Sequence, residues 1–271
     1  MKFLKNIPLA PYTTVKIGGP AEYFLEVTSY HQFKAVLEGL KKRHIKKITV
    51  LGNGSNVLIS DQGISGYVIK NSASAIKLLP HHQIWAASGT QLAKLIEFSL
   101  KHGLVGLESF AYIPSTLGGA IQGNIHSPEC LFSTITKSTE IFDNEYPIIL
   151  SAVIQLKPGN TAVAYQKVQK IVNQKIKTQP MNSLGCIFKN PSRLPADMPL
   201  EPAGSIIDKR LKLKGLCIGD AQISPIHANF ITNNNQASAR DYYTLIKLIQ
   251  SQAKNKLNLD LELEIKLLGQ I

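Results

Sequence analysis

The chain has 271 residues, 44% of them hydrophobic and 18% charged, which is enough for a sizeable core and excludes a disordered chain. A formal net charge of +12 suits solvated lysine faces first and a phosphate-bearing ligand second; with 7% aromatic residues and no nucleic-acid-binding signature, nucleic acid is not an expected partner. Three cysteines without paired spacing and seven histidines without ligand spacing give no expectation of a disulfide or a metal site, and no apolar run reaches the roughly 20 residues of a membrane span.

The N-terminal stretch has no continuous apolar run and no small-residue cleavage site, so no signal peptide is expected and the cytoplasm is the default location. Residues 22–27 (EYFLEV) predict a strand, 30–44 a helix, and 47–51 a strand running into Gly52-Asn53-Gly54-Ser55-Asn56. Short strands are predicted at 57–60 and 66–70, then at 76–79 and 84–88. A helix over 91–101 follows, with Thr90 placed to cap it, Leu92, Leu95 and Ile96 on one face, and Gly103 at its stop. Residues 113–124 (IPSTLGGAIQGN) are too glycine-rich and too apolar for an ordinary exposed loop, and 146–156 predict a strand ended by Pro158-Gly159. The remainder reads as a separate α+β unit. Its helices are predicted over 161–177, ended by Gln179-Pro180, over 203–211, and over 238–257, where Ser238 and Asp241 form a capping-box-like start. Its strands are predicted over 227–232 and over 259–268, which alternates apolar and charged residues.

Four stretches carry chemistry. Lys16-Ile17-Gly18-Gly19-Pro20-Ala21 is a tight turn before a strand, and by itself reads as a plain turn. Leu51-Gly52-Asn53-Gly54-Ser55-Asn56 offers backbone N–H groups, a hydroxyl and amides that can cradle a pyrophosphate, although Asn-Gly is equally a hairpin signal. Gly118-Gly119-Ala120 and Gly123-Asn124 have almost no side chains, which suits either a flat, large cofactor or a close helix–sheet contact. In Leu184-Gly185-Cys186-Ile187-Phe188-Lys189-Asn190-Pro191 a cysteine follows a glycine beside a lysine and an amide; alone, such a cysteine is more often an inert small hydrophobe.

In order along the chain, K-I-G-G-P-A (16–21), L-G-x-G-S-N-x-L (51–58), G-L-x-x-I-P-x-x-x-G-G-A (106–120, loosely spaced), G-C-x-F-K-N-P (185–191) and A-G-x-I-I-D (203–208) resemble the UDP-N-acetylenolpyruvoylglucosamine reductase family. L-K-G (213–215), A-x-I-S-x-x-H-A-N-F-I (221–231) and L-x-x-E-I-K-L-L-G (261–269) continue the match. The resemblance implies an α+β fold: a two-subdomain FAD-binding fold of the vanillyl-alcohol oxidase type, at 1–72 and 73–160, and a C-terminal α+β substrate-binding domain at 161–271. It implies the family subclass without an extra tyrosine-bearing loop.

By the same resemblance NADPH reduces FAD, which passes hydride to the enolpyruvyl double bond of the UDP-linked amino sugar in peptidoglycan precursor synthesis. Cofactor contacts then fall to Ile17, Gly18, Gly19, Leu51, Gly52, Asn53, Gly54, Ser55, Asn56, Pro114, Ser115, Gly118, Gly119 and Asn124. Hydride addition leaves an enolate-like anion that needs a proton on carbon. Cys186 stands where the family has its serine or cysteine proton donor, and a thiol is a better acid than an alcohol. Glu264 matches the assisting acid; its bland reading is a solvent-facing residue, as for Glu262. Lys189 and Asn190 match positions near the sugar and diphosphate. No membrane insertion is implied, and the protein is expected to act as a monomer.

The match breaks in one place. The family carries a Tyr-Arg-x-Ser-x-Phe segment whose arginine binds the substrate carboxylate, and here residues 136–142 read TKSTEIF. Lys137 is the candidate substitute, without arginine's two-pronged grip. Residues 124–146 are also shorter than the family's, which predicts the loss of one or more strands, and Ser115 replaces a usual glycine. A flavin-binding member without reductase activity, in a binding or regulatory role, is therefore the alternative expectation.

Overall fold

The computed structural model describes residues 2–127, 129–194 and 199–271. Its first elements are β1 (Leu4–Pro8), β2 (Pro20–Val27), α1 (Tyr30–Lys42), β3 (Ile48–Leu51), β4 (Val57–Ile59), β5 (Ile64–Asn71), β6 (Ile76–Leu79) and β7 (Gln83–Ala87). There follow α2 (Leu92–Lys101), β8 (Leu104–Val105), α3 (Leu117–Gln122), α4 (Phe132–Ile135), β9 (Thr136–Ile141), β10 (Ile149–Gln155), β11 (Lys157–Pro158) and α5 (Thr161–Thr178). The last are α6 (Ala203–Ser205), running on as a wider helical turn to Arg210, then β12 (Cys217–Ile218), β13 (Ala221–Ile223), β14 (Ile231–Asn233), α7 (Ala239–Leu257) and β15 (Lys266–Leu268). Strands β1, β2, β5 and β3 form one sheet in that order. The chain divides into two compact units of interleaved segments: residues up to 4, 24–53 and 66–175 in the first, and 5–23, 54–65 and 176–271 in the second.

In the first unit, β6, β7, β10 and β9 form an antiparallel sheet, with Val153 opposite Trp85 and Ala152 opposite both Ala86 and Thr139. Its core is the apolar face of α2 (Leu92, Leu95, Ile96, Leu100) packed with Ile84, Phe110, Leu117, Phe132 and Ile154, each nearly or fully shielded from water. Burial of this kind contributes roughly 1.5–3 kcal/mol per large aliphatic or aromatic side chain. Helix α1 begins at Ser29, whose hydroxyl accepts the Gln32 N–H, and ends over Lys41 and Lys42, which complement its negative pole. Its buried face (Phe33, Val36, Leu37, Leu40) packs with Val27, Ile69 and Leu150. Among the described residues of the shortened 124–146 stretch stands one strand, β9.

In the second unit, β12, β13 and β14 form a small antiparallel sheet, and α7 packs Tyr242, Leu245, Ile246 and Ile249 into a core shared with Val15, Ile17 and Leu58. The C-terminal strand β15 lies parallel to β4, with Lys266 opposite Val57. The expected capping box is present, Ser238 accepting the Asp241 N–H and Asp241 the Ser238 N–H. Asp61 adds both its oxygens to the Ala239 and Arg240 N–H groups at the same helix end.

Four expectations need correction. Thr90 does not cap α2: the cap position is Gln91, and the Thr90 hydroxyl points to the Ala75 carbonyl. The strand expected over 146–156 starts at Ile149, because the Tyr146 N–H closes a turn on the Asp143 carboxylate. Of 227–232, only Ile231 and Thr232 are strand; His227 to Phe230 form a turn closed by the Phe230 N–H on the His227 carbonyl. Of 259–268, only Lys266–Leu268 form a ladder, and the rest makes the single bridge Phe188–Leu263.

Candidate functional site

In the second unit, hydrogen bonds link five distant segments, one of which carries Cys186. The turn holding Ile17, Gly18 and Gly19 is pinned by the Leu9 and Ala10 N–H groups, which donate to the Gly19 and Gly18 carbonyls, and by the Gly19 N–H on Ser60. The same turn reaches the cysteine segment and its neighbours: the Thr14 hydroxyl donates to the Ser183 carbonyl at 2.7 Å, and the Asn233 amide to that of Val15 at 2.9 Å. Gly54 sits at φ +62°. A Cβ there would collide with the Tyr12 carbonyl oxygen, so only glycine lets the loop close on Thr14. Beyond it, half-buried Ser55 leads to Asn56, whose amide donates to the Glu264 carbonyl at 3.2 Å and whose own carbonyl accepts the Lys266 N–H.

Cys186 is half-buried, directly before two fully buried side chains, Ile187 and Phe188. The Glu264 N–H donates to the Ile187 carbonyl at 2.8 Å, and the Lys189 N–H to that of Glu262 at 2.9 Å, so the cysteine segment and the 262–264 segment run side by side. Both catalytic candidates, Cys186 and Glu264, thus lie on neighbouring strands of chain. Lys189 is exposed and pairs with exposed Glu262 at 3.2 Å, while the exposed Asn190 accepts the Ala203 N–H at 3.1 Å.

The first unit holds the other expected residues. Buried Leu51 ends β3, and Gly52 offers its carbonyl to the Lys70 ammonium at 2.7 Å. Lys70 is half-buried, and desolvation lowers its pKa from the ordinary lysine value. The Asn53 amide donates to the Pro114 carbonyl at 3.3 Å. A recess of about 130 Å³ is lined by Asn53, Lys70, Asn71, Ser74, Gln91 and Lys94 among others. That is far below the roughly 300–1,000 Å³ of a whole-ligand pocket, so it suits one polar group. Two lysines and a set of amides and hydroxyls form the donor set for an anion such as a diphosphate, so the residues present fit that part of an FAD.

The glycines of α3 have an internal explanation. The Gly118 N–H donates to the Ser88 carbonyl at 2.7 Å, and a Cβ on Gly118 would stand 3.0 Å from that of Ser88. The Thr116 hydroxyl caps the helix through the Gly119 N–H, beside Ser115, and a Cβ on Gly52 would meet that hydroxyl at 2.7 Å. Asn124 accepts the Ser133 N–H through its side chain, and Lys137 is exposed on β9. A larger cleft of about 490 Å³, lined by Tyr30, Lys77, Trp85 and Glu140, contains none of the expected residues. There Glu140 accepts the Tyr30 and Ser151 hydroxyls, and burial, then the Glu140 hydrogen bond, push the Tyr30 phenol up to about 12. Nothing in the sequence singles out Lys70 or Lys94, whereas Asn229 lies within the 221–231 motif as a polar residue in an apolar run.

Among the described residues no group of histidine, cysteine and carboxylate side chains could hold a metal, and no helix is long and apolar enough to cross a membrane. Residues 174–268 match the family described as UDP-N-acetylenolpyruvoylglucosamine reductase, C-terminal domain, and 21–144 match the FAD binding domain family. The UDP-N-acetylenolpyruvoylglucosamine reductase of Synechococcus sp. strain JA-3-3Ab is 36% identical, covering 97% of this chain and 90% of its own. That of Bacillus subtilis strain 168 is 34% identical over 99% of this chain and 94% of its own. The crystal structure of the Thermus caldophilus UDP-N-acetylenolpyruvylglucosamine reductase superposes with a TM-score of 0.80 at 29% identity, covering 99% of this chain and 100% of that one.

Proposed function

The chain belongs to the UDP-N-acetylenolpyruvoylglucosamine reductase family, and we propose that it is an FAD-containing oxidoreductase. In this reading it uses NADPH to convert UDP-N-acetylglucosamine enolpyruvate to UDP-N-acetylmuramate, in peptidoglycan precursor synthesis. The fold class is the expected α+β, with an FAD binding domain. A family member without reductase activity is not favoured, since relatives aligned over nearly the whole chain carry the reductase name.

The observation that carries the reading is the juxtaposition of Cys186 and Glu264 within one unit, tied by the Glu264 N–H on the Ile187 carbonyl at 2.8 Å. Bound FAD, once reduced by NADPH, would supply the hydride. The Cys186 thiol then gives its proton to the substrate carbon, and Glu264 assists that transfer. Lys70 and Lys94 would neutralise the cofactor's diphosphate and the Asn53 amide would help hold it; the family resemblance assigns Leu51, Gly52, Gly54, Ser55 and Asn56 to the same group. We assign Ile17, Gly18 and Gly19, with Pro114, Ser115, Gly118, Gly119 and Asn124, to the rest of the cofactor. Lys137 is assigned to the substrate carboxylate, and Lys189 and Asn190 to its sugar and diphosphate. We also propose flavin subdomains at 1–72 and 73–160, a substrate domain at 161–271, and a cytoplasmic monomer.

The test is direct. Holoenzyme reduced anaerobically with NADPH is mixed with the enolpyruvyl sugar, and the absorbance of oxidised flavin is followed. Its prompt return supports the reductase; flavin that stays reduced rejects it.

A further inference from the structure

The segment that carries Cys186 is held on both edges, by backbone on one side and by a side chain on the other. On the first edge stand the Glu264 N–H to Ile187 and the Lys189 N–H to Glu262. On the second stands Asn229, only 2% exposed. Its side-chain oxygen accepts the Phe188 N–H at 3.0 Å, and its amide nitrogen donates to the Phe188 carbonyl at 2.8 Å. Its main-chain carbonyl accepts the Ile187 N–H at 2.8 Å. One carboxamide therefore satisfies both polar groups of a single buried residue, the work a neighbouring strand would otherwise do. The Asn229 N–H in turn donates to the His227 ring at 3.3 Å, so the clamp is itself oriented.

The contrast with the other side of Cys186 gives the arrangement its meaning. Gly185 lies at φ +80° with nothing within 4 Å of where a Cβ would be, so no side chain packs at that one position directly before Cys186. On the C-terminal side, the backbone that carries the thiol is fixed through Ile187 and Phe188. Proton delivery to carbon demands near-ångström placement, and a misplacement of about 1 Å from a remote substitution costs on the order of 100-fold.

We propose that Asn229 is a positioning residue for the Cys186 thiol in the substrate half-reaction. This rests on the reading that Cys186 is the proton donor. Asn229 touches neither substrate nor cofactor in this role; it fixes the backbone from which the thiol projects.

The test separates the two half-reactions in holoenzyme carrying N229D, which keeps the acceptor for the Phe188 N–H and loses the donor to its carbonyl, or N229S, which shortens both. Expected are unchanged flavin content, flavin reduction by NADPH within about twofold of the parent, and flavin reoxidation by the enolpyruvyl sugar slowed by roughly 10- to 100-fold. The solvent deuterium isotope effect on reoxidation should rise, because proton transfer becomes the slow step. Peptide-resolved alkylation should also quicken at Cys186 and stay unchanged at Cys130 and Cys217. Parent-like reoxidation and alkylation would overturn the proposal, as would equal slowing of both half-reactions or loss of flavin in both variants, which assign Asn229 to folding. C186A, run in parallel, isolates the premise: parent-like reoxidation in that variant removes the proton-donor reading itself, whatever the Asn229 variants do.

Discussion

In the second unit the residues assigned to proton transfer are fixed through their backbone, by bonds joining segments as distant in sequence as Thr14 and Ser183, Asn56 and Glu264, or Phe188 and Asn229. In the first unit the anion recess draws on shorter separations, around 53, 70–74 and 89–94, and its charge sits at the ends of two long lysine side chains. The first construction is rigid where a proton must land on one carbon. The second tolerates displacement, because the attraction of a cation for a diphosphate falls off slowly with distance. A protein can thus divide accuracy and affinity between separately built regions.

The strongest way to break that contrast is Cys186→Ala. If the second unit supplies the proton, turnover falls by ~10²–10⁴-fold while flavin absorbance stays unchanged. Steady-state rates with the enolpyruvyl sugar, measured beside the visible spectrum, decide it. Normal turnover would leave the backbone bonds around Cys186 as packing only.

Glycine 54 sharpens the comparison from the structural side. Its φ of +62° and the closeness of the Tyr12 carbonyl make an added methyl strained in two ways at once. Gly54→Ala should cost about 2–4 kcal/mol of stability, read from urea unfolding, by combining a left-handed backbone with overpacking. A loss below about 0.5 kcal/mol would mean that the loop relaxes freely, contrary to a backbone-fixed site.

How far these features could be read in advance follows from where their partners lie. The capping box of Ser238 and Asp241 was legible because both partners are three residues apart. Gly185-Cys186 stands out only through the family resemblance of residues 185–191, since alone such a cysteine reads as an inert small hydrophobe. Lys70 was not: in sequence it is one lysine among many, and its character comes from burial against the Gly52 carbonyl. Asn229 falls in a stretch whose pattern predicts a strand, and nothing local reveals that its amide stands in for one. The alternation over 259–268 was real, yet only a single bridge at Leu263 joins it to Phe188, too short for a ladder.

Lys70 accordingly carries the next prediction. Lys70→Met keeps the length and the buried stem and removes the charge. Flavin should bind about tenfold more weakly, a change of about 1.4 kcal/mol, and its affinity should depend less on salt. Fluorescence titration of the apoprotein at two ionic strengths measures both. An unchanged dissociation constant would take Lys70 out of the anion recess and leave it as a brace for the Gly52 carbonyl.

The smallest effect is expected at Gly39, and its sign is the point. This glycine lies inside α1 with nothing within 4 Å of an added Cβ. No contact and no positive φ reward it, so the helix bears the entropic cost of glycine without return. Gly39→Ala should therefore stabilise the protein by about 1 kcal/mol, seen as a higher midpoint in urea with an unchanged slope. The same methyl that strains the loop of the second unit should strengthen the helix of the first. A destabilised Gly39→Ala would show that the outer face of α1 is occupied in solution, since only a neighbour pressed against that position could turn the gain into a loss.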